Sequence, residues 1–430
     1  MERRTFLLGA GLVSMGARAA DDTANDKVGI GVIGLGGRGR DHLRYYSKLP
    51  DARVVAICDV NQAQTERAAQ MVEKLHGGKP QVYQDLRKLF DDKDVNAVSI
   101  ATPNHWHALA TIWACQAGKD VYCEKPASYN IFEGRAMEAA ARKNKRIVQI
   151  GMQGRTIAHK QRAMDLLRSG AIGQVYMARA ICFKRRPSIG HTPAEPVPPG
   201  LDWDLFLGPA PMREYTKNRY QYNWHWFWDT GNGDIGNQGI HEMDLARRGL
   251  GRDLPKGAVS TGGKYIYEDD QETPNTQIAT FDYGDAELVF EVRGLNTGGE
   301  PGIPASGPNF IGVTFFGSQG FMAVDEHGFQ IFLGDKREPG ESMKHTEPEI
   351  DDTIGHMANF LKAVKSRNAA DLTADVSVGV TSAALVHLAN ISYRVGRKLS
   401  YDSATGSFTG DTEATAMMTR PVYRSPYVVA

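Results

Sequence analysis

The stretch that decides the fold is Lys27-Val28-Gly29-Ile30-Gly31-Val32-Ile33-Gly34-Leu35-Gly36-Gly37-Arg38-Gly39. Its first half is an apolar run typical of a buried β-strand, and its second half carries glycines in the pattern G-x-G-x-x-G. A helical stretch from Arg40 to Lys48 follows directly. A strand, this glycine pattern and a helix in succession are typical of the loop that binds the pyrophosphate of a dinucleotide. A glycine-rich turn in another kind of α/β unit is the alternative.

The positions of this loop have different predicted parts in binding. We expect Gly34 to allow a tight turn, Gly36 to let the backbone approach the phosphates, and Gly39 to let the helix pack closely on the strand. The unpaired N–H groups at the start of the helix then face the phosphates. The predicted cofactor-binding residues of the loop are Gly34, Leu35, Gly36, Gly37, Arg38 and Gly39.

A carboxylate follows at the distance that such a loop requires. The apolar run Ala52–Cys58 ends at Asp59, about 20 residues beyond the last glycine, where an acidic side chain binds the ribose hydroxyls of NAD. Its charge disfavours a 2′-phosphate, so we predict NAD as the cofactor. Arg38 and Arg40 lie close enough in the sequence to permit NADP.

Residues 27–151 alternate between strand-like and helix-like segments, which predicts a parallel, doubly wound Rossmann sheet. Ligands of such sheets lie beyond the carboxyl ends of the strands. Polar loops follow three of the predicted strands directly, and we expect them to meet at that edge. They contain the further predicted cofactor-binding residues Thr102, Asn104, His107, Glu124 and Lys125, together with Gln153.

The pattern changes after Gly151. Strand-like runs, some with an alternation of period two, recur between Gly173 and Asp325, and they predict a largely antiparallel sheet with one open face. We therefore expect a second α/β domain over residues 152–402, which binds substrate and forms a homo-oligomer through the open face. Residues 403–430 lack periodicity and are interpreted as a tail along the body.

The extreme N-terminus has the features of an export signal. Arg3 and Arg4 precede a short apolar run, Phe6–Met15, and the small residues in Ala17-Arg18-Ala19 suit cleavage. The apolar run is too short for a membrane span, and the arginine pair favours the twin-arginine route. We expect residues 1–20 to be a twin-arginine signal peptide and the protein to be periplasmic. An ordinary secretory signal is the alternative.

The overall composition excludes several kinds of partner. The chain has 430 residues, 41% of them hydrophobic, and a formal net charge of zero, so nothing favours nucleic acid or an anionic membrane as a partner. No segment after the N-terminus has the roughly 18 uninterrupted apolar residues of a membrane-spanning helix. The spacings H-x-x-x-H and H-E-x-x-H do not occur, and we predict no metal site.

Two residues have the chemistry needed to move a hydride and a proton at an alcohol carbon. Lys125 lies at a predicted strand end, where its ammonium group can hydrogen-bond the reacting oxygen and Glu124 can hold it in place. His241 follows a glycine-rich approach and is the candidate base, because imidazole exchanges protons near neutrality. Asn237 and His241 are four residues apart and could face one cleft together if the helix begins early enough.

Further residues are candidates for binding a polar substrate. Gln153 and Arg155 follow a predicted strand, and Asp244 lies three residues after His241. The aromatic run Tyr220–Trp228, which includes Trp226, could stack on a sugar ring or could form core or subunit interface. A solvated loop is the alternative for Gln153 and Arg155.

Taken together, these motifs resemble the Gfo/Idh/MocA oxidoreductase family. The resemblance rests on the glycine loop, Asp59, Thr102-Pro103-Asn104, Glu124-Lys125-Pro126 and the run Gly236–Asp244. It implies that Lys125 and His241 match the catalytic Lys and His of the family. The family usually has Asp four residues before that His, whereas this chain has Asn237, which cannot assist the His by charge.

The resemblance implies a carbohydrate as the small-molecule substrate. The expected function is NAD(P)-dependent oxidation or reduction of a sugar or cyclic polyol with a tightly bound cofactor. A second hypothesis, also suggested by resemblance, is a family 109 type glycoside hydrolase or lyase that oxidises the sugar transiently. A non-catalytic nucleotide-binding sensor or scaffold is the third.

Overall fold

The computed structural model describes residues 27–295, 309–346 and 348–429, which form two β-sheets flanked by helices. The predicted fold class, a parallel Rossmann sheet followed by an α/β domain with a mostly antiparallel sheet, is confirmed. The predicted signal peptide lies outside the described residues.

The first sheet is parallel throughout and has the strand order β3-β2-β1-β4-β5-β6. The order reverses at β1, so a crevice opens between the loops that follow β1 and β4, where α/β sheets bind ligands. The strands are β1 (Val28–Ile33), β2 (Ala52–Cys58), β3 (Gln81–Tyr83), β4 (Ala97–Ile100), β5 (Asp120–Cys123) and β6 (Val148–Ile150).

Helices connect these strands. The first begins at Gly37, three residues before the predicted start at Arg40, because the glycines of the loop already adopt helical geometry there. Asn61 and Asn130 cap the second and fifth helices by accepting backbone N–H bonds. The helices are α1 (Gly37–Tyr46), α2 (Gln62–His76), α3 (Leu86–Phe90), α4 (Asn104–Gln116) and α5 (Ile131–Lys143).

The second sheet has ten strands in the order β14-β13-β12-β11-β7-β10-β9-β8-β15-β16. Neighbours are antiparallel except for β7 and β10, which are parallel. The strands are β7 (Val175–Phe183), β8 (Gly257–Gly263), β9 (Thr276–Asp282), β10 (Glu287–Arg293), β11 (Phe310–Gly317), β12 (Gly320–Asp325), β13 (Gly328–Leu333), β14 (Glu338–Lys344), β15 (Leu399–Asp402) and β16 (Ser407–Phe408).

One face of the second sheet is covered by helices and the other is open. On β10, Leu288, Phe290 and Val292 are buried beneath the helices, while Val289 and Glu291 lie on the open face and are only half-buried. The helices of this half are α6 (Ala158–Arg168), α7 (Trp203–Leu207), α8 (Gly233–Asn237), α9 (Gly239–Leu250), α10 (Glu349–Ser366), α11 (Val376–Val395) and α12 (Thr412–Ala416).

The chain returns to the first sheet after the second is complete. Met357 and Phe360 of α10 are fully buried in one cluster with Tyr122 of β5. The C-terminal segment also packs on the body, since Tyr427 is buried and Arg420 forms an ion pair with the buried Glu133. The proposed boundaries between the domains stay a prediction.

Helix α11 bears on the expectation of no membrane span after the N-terminus. By length and composition Val376–Val395 is the one helix in the described part of the chain that could do so. However, 72% of its apolar stretch is buried inside the protein, where it packs against α5, α9 and β8.

Candidate active site

The glycine loop has the geometry that its sequence predicts. Gly34 has a φ of +83°, and a Cβ at this position would lie 2.7 Å from the carbonyl oxygen of Ala101. A Cβ on Gly39 would overlap the carbonyl oxygen of Gly34, so α1 can pack this closely on the loop only without a side chain there.

The space above the loop fits a dinucleotide. Nothing lies within 4 Å of where a Cβ on Gly36 or Gly37 would be, and no side chain caps the start of α1. Its first N–H groups are therefore available to phosphate oxygens. In the facing loop, Thr102 Oγ1 is buried and has no hydrogen-bond partner among the described residues. These features fit the phosphates and an adjoining polar group of NAD.

Asp59 supports the loop at the end of β2. Its two carboxylate oxygens accept the backbone N–H of Leu35 at 2.6 Å and of Asn61 at 2.8 Å. Burial raises the pKa of Asp59 to about 6, against the opposing effect of these two bonds. Arg40 lies on the same side and donates to Leu35 O and Gln64 Oε1.

Arg38, which was predicted to permit NADP, is paired with Glu124 in this structure. Its Nε donates to Glu124 Oε1 at 2.6 Å. His42 Nε2 lies 3.0 Å from the same oxygen, and His42 Nδ1 lies 2.8 Å from Ser99 Oγ. Burial raises the pKa of Glu124, but Arg38 and His42 outweigh burial and hold it well below its usual value.

Glu124 therefore does not hold the ammonium group of Lys125, contrary to the prediction. Lys125 Nζ instead donates to the backbone carbonyl of Asn237. The side-chain amide of Asn237 donates to Tyr222 Oη at 2.9 Å. At the position where the family usually has Asp, this chain thus supplies a carbonyl group to the Lys and an amide to a tyrosine.

His241 faces the same cavity as Lys125. The helix is broken at Gln238, between α8 and α9, yet Asn237 and His241 both line this cavity as predicted. Burial, with a further contribution from the charge of Lys125, lowers the pKa of His241 to about 3. Burial also lowers the pKa of Lys125. At neutral pH His241 is therefore a neutral imidazole that shares the cavity with Lys125.

The cavity has a volume of about 850 Å³ and runs from the glycine loop to His241. It brings together most of the predicted residues, but Leu35, Gly39, Arg155, Trp226 and Asp244 do not line it. Those that line it are Gly34, Gly36, Gly37, Arg38, Asp59, Thr102, Asn104, His107, Glu124, Lys125, Gln153, Asn237 and His241.

Two of the predicted cofactor-binding residues also hold the loops together. His107 lies with its ring nitrogens 2.7 Å from Pro126 O and 2.9 Å from Thr102 O, and it joins the loops after β4 and β5. Asn104 Nδ2 donates to Asn232 Oδ1 at 3.0 Å and so connects the two halves of the protein.

The aromatic run contributes a wall of the cavity, though through other residues than Trp226. Trp226 is 3% exposed and belongs to the interior. Tyr222, Trp224 and His225 line the cavity, with the rings of Trp224 and His225 stacked 3.5 Å apart. Arg186 forms two hydrogen bonds with Asp234 and one with Tyr222 Oη.

Arg155 and Asp244 pair with each other. Two hydrogen bonds of 2.8 Å join them, and Ser382 Oγ donates to the same carboxylate at 2.6 Å. Burial raises the pKa of Asp244, but Arg155 outweighs it and the pKa lies at about 2. Both residues line a second cavity, beyond Gln153 and His241.

The residues that the sequence argument missed are His42, Arg186, Tyr222 and His225. Tyr222 and His225 lie inside the aromatic run, whose composition was a signal for them. His42 and Arg186 act through partners 82 and 48 residues away, and no spacing pattern indicates such pairs. No group of three His, Cys, Asp or Glu within the described ranges is arranged to hold a metal ion. The absence of a metal site stays a prediction.

A parallel sheet with an open glycine loop, facing a second domain that contributes His241, defines a two-domain dinucleotide-binding protein. Two family models match it. One, described as an oxidoreductase family with an NAD-binding Rossmann fold, covers residues 28–152. The other, its C-terminal α/β domain, covers 183–270 and 331–429. The chain belongs to the Gfo/Idh/MocA oxidoreductase family.

Curated relatives include inositol dehydrogenases. Inositol 2-dehydrogenase of Gluconacetobacter diazotrophicus is 36% identical over 161 residues, which are 37% of this chain and 47% of that protein. Inositol 2-dehydrogenase of Serratia proteamaculans is 38% identical over 165 residues, again 37% and 47% of the two chains. The chain thus spans about half the length of these curated relatives.

Solved structures share the fold over most of the chain. The WlbA dehydrogenase from Bordetella pertussis, in complex with NADH and UDP-GlcNAcA, has a TM-score of 0.63 and 20% identity, covering 87% of this chain and 99% of that one. Levoglucosan dehydrogenase, in complex with NADH and levoglucosan, has a TM-score of 0.66 and 19% identity, with the same coverage. At these identities the likeness shows the fold.

Proposed function

We propose that this protein is an NAD-dependent oxidoreductase that acts on a secondary alcohol of a sugar or cyclic polyol. The observation that carries the proposal is the placement of Lys125 and His241 in the cavity that begins at the glycine loop. Both reach the same space, although they come from different halves of the chain. Bound NAD supplies a hydride acceptor for the alcohol carbon.

Lys125 and His241 have different roles at the reacting oxygen. The ammonium group of Lys125, held by the carbonyl of Asn237, hydrogen-bonds that oxygen and favours its developing negative charge. His241 takes the hydroxyl proton. Because the charge of Lys125 helps to lower the pKa of His241, the two groups titrate as a coupled pair. A Lys125 that releases its proton makes His241 more basic.

The substrate class follows from the wall of the cavity and from the relatives. Tyr222, Trp224 and His225 offer flat rings with polar atoms, which suits a sugar ring. Curated relatives are named for inositol, and the two solved structures described above hold levoglucosan and a nucleotide-linked sugar. These names support a carbohydrate or polyol substrate for this chain.

Contacts between the two halves support a tightly held cofactor. The Pro-rich loop 186–202 reaches the β2–α2 turn beside Asp59, where Gln62 N donates to Gly200 O and Asp202 N donates to Val60 O, both at 2.9 Å. Asn61 Nδ2 donates to Tyr220 Oη at 3.0 Å. This strap lies beside the predicted ribose site and ties the two halves of the protein together there.

The test uses the protein purified with its nucleotide. Lys125→Met and His241→Ala should each lower turnover of sugars by at least about 100-fold, since groups that move protons contribute this much. Bound NAD should be retained. Lys143→Met, the same change at an exposed lysine, is the matched control and should keep full activity.

Absorbance of NADH and release of an aglycone from glycosides are followed together. Lasting reduction of NAD without glycosidic cleavage supports the proposal. Aglycone release with no net NADH contradicts it and favours the glycoside-cleaving hypothesis. Turnover of both variants within a few-fold of wild type contradicts the assigned roles and favours a sensor or scaffold.

We further propose export by the twin-arginine route and assembly through the open sheet face. The paired Arg3 and Arg4 support export, which replacement of both by Lys should block in a fractionation assay.

Three phenylalanines on the open sheet face support assembly through it. Phe316, Phe321 and Phe332 lie side by side there, with ring centroids 6.4 and 4.7 Å apart. Light scattering of Phe321→Glu should show a smaller oligomer than wild type.

A further inference from the structure

A second cavity adjoins the catalytic one and has no part in the function proposed above. Its volume is about 420 Å³, within the range of small-molecule sites. Gln153 and His241 line both cavities, so they stand at the junction between them. A ligand long enough to reach past these two residues would contact both cavities.

The second cavity contains buried polar atoms that lack partners. Glu242 is 8% exposed, and its Oε2 has no hydrogen-bond partner in the described part of the chain. The same holds for Gln153 Oε1 and for Arg248 Nη1. Lys160 Nζ, on α6, forms no hydrogen bond or ion pair with any residue described. Buried polar groups are seldom left without partners, so several at one cavity suit a polar ligand there.

Their chemistry selects the ligand. Gln153 Oε1 can only accept a hydrogen bond, whereas Arg248 and Lys160 can only donate. Burial raises the pKa of Glu242 to about 7, against the opposing charge of Lys160, so this carboxyl group can accept or donate near neutrality. Hydroxyl groups both donate and accept, and they can satisfy the whole set. A carboxylate or phosphate leaves Gln153 unsatisfied and meets the negative charge of Asp325 at the same cavity.

We propose that the second cavity is a subsite for a second sugar ring, so that the substrates of this protein are disaccharides or other glycosides. The first ring lies at Lys125 and His241, and the second ring lies among Lys160, Glu242 and Arg248. This inference rests on the proposed function for its first ring. It adds that the polar lining of the second cavity determines specificity.

The test measures binding as well as turnover, on protein loaded with NAD. Calorimetric titrations use trehalose, sucrose, maltose, cellobiose and lactose, together with glucose, galactose, fructose and myo-inositol. At least one disaccharide should bind about tenfold more tightly than either of its own monosaccharides, because a filled subsite is worth at least this much. Glucuronic acid serves as the anionic probe and should show no such advantage.

Two variants test whether residues of the second cavity cause the tighter binding of a disaccharide. Lys160→Met and Glu242→Gln should each reduce the ratio of disaccharide to monosaccharide affinity about fivefold or more, as expected when one buried hydrogen bond is lost. The exposed Lys143→Met is the control and should leave the ratio unchanged. Lys160 is only half-buried, so its variant serves if Glu242→Gln fails to fold.

The possible outcomes separate the two proposals. Oxidation of monosaccharides without any disaccharide advantage overturns the subsite and leaves the proposed function intact. A disaccharide advantage that both variants reduce, with no hydride transfer, supports the subsite and overturns the function. A disaccharide advantage that both variants leave unchanged, or a preference for glucuronic acid, overturns the subsite.

Discussion

The glycine loop and the Lys125–His241 region line one cavity, but they are specified in different ways. Contacts that shape the loop include one between residues fairly close in the chain, Asp59 and Leu35, 24 residues apart. Around Lys125 the decisive contacts join residues 86 and 112 positions apart, Arg38 with Glu124 and Lys125 with Asn237. A motif therefore predicts where the backbone needs glycine, and it does not predict which side chains from distant parts of the chain meet.

The first prediction concerns a long-range pair that sequence cannot indicate. Arg155→Met leaves the buried carboxylate of Asp244 with Ser382 and with Arg247, whose Nη2 lies 3.6 Å away, and it should lower the free energy of unfolding by about 3 kcal/mol. Arg162→Met, on the exposed pair with Glu341, is the control and should cost less than about 1 kcal/mol. Urea unfolding of the cofactor-free protein measures both.

The dependence of the unfolding free energy on pH tests whether the charge of Asp244 causes the loss of stability. With Arg155 present the pKa of Asp244 lies at about 2, so this group stabilises the fold above its ordinary value of 3.8 and loses that effect as the pH falls toward 2. Without Arg155, burial favours the protonated form, and the variant recovers stability as the pH falls. The gap between wild type and variant should shrink from pH 6 to pH 3. A constant gap would mean that lost packing, and not charge, is responsible.

The second prediction concerns the glycine loop and separates the effect of a glycine on stability from its effect on NAD binding. Gly39→Ala places a Cβ against the carbonyl oxygen of Gly34 and should lower stability by about 2 kcal/mol, because overpacking outweighs the helix propensity gained. Gly36→Ala meets nothing within 4 Å and should leave stability within about 0.5 kcal/mol of wild type. Its affinity for NAD should nevertheless fall at least about tenfold, since its Cβ occupies the phosphate cradle. Undiminished NAD affinity in Gly36→Ala would place the pyrophosphate elsewhere.

The same contrast explains how much of the fold could be predicted. The apolar runs of β1 and β2 were found from the sequence, whereas β3 is only three residues long and mostly exposed. In the second sheet, β8 contains three glycines, and β14 is polar, exposed and contains Pro339, so neither has an apolar alternation. Their pairing with neighbouring strands, not their own sequence, makes them strands.

In the candidate active site, the sequence predicted the cavity residues more readily than it predicted their hydrogen-bond partners. Lys125, Asn237 and His241 share the cavity as expected, because a strand end and a helix start each have a local signature. Glu124 was expected to hold Lys125, yet it binds Arg38 and His42, since the buried carboxylate needs the nearest available donors. Which donors bind Glu124 depends on distances that only the folded chain establishes.

The last prediction concerns the smallest effect, the discrimination between NAD and NADP by Asp59. Burial raises the pKa of Asp59 to about 6, so the side chain is ionised at pH 8 and largely protonated at pH 5. An ionised Asp59 repels a 2′-phosphate, and Arg38 cannot compensate because it is paired with Glu124. At pH 8, wild type should therefore disfavour NADP relative to NAD about tenfold more than Asp59→Asn does, a difference of one pKa unit in energy.

This extra discrimination should disappear as the pH falls to 5, because the neutral acid and the amide then carry the same charge. A phosphate group itself titrates near pH 6, so the readout is the difference between wild type and Asp59→Asn and not the wild-type ratio alone. Asp41→Asn removes a carboxylate that lines the same cavity from α1 and should keep the pH dependence of wild type. Dissociation constants of both nucleotides at pH 5, 6, 7 and 8 give the result. Equal discrimination by wild type and Asp59→Asn at pH 8 would show that Asp59 supports the loop through Leu35 and Asn61 without selecting the cofactor.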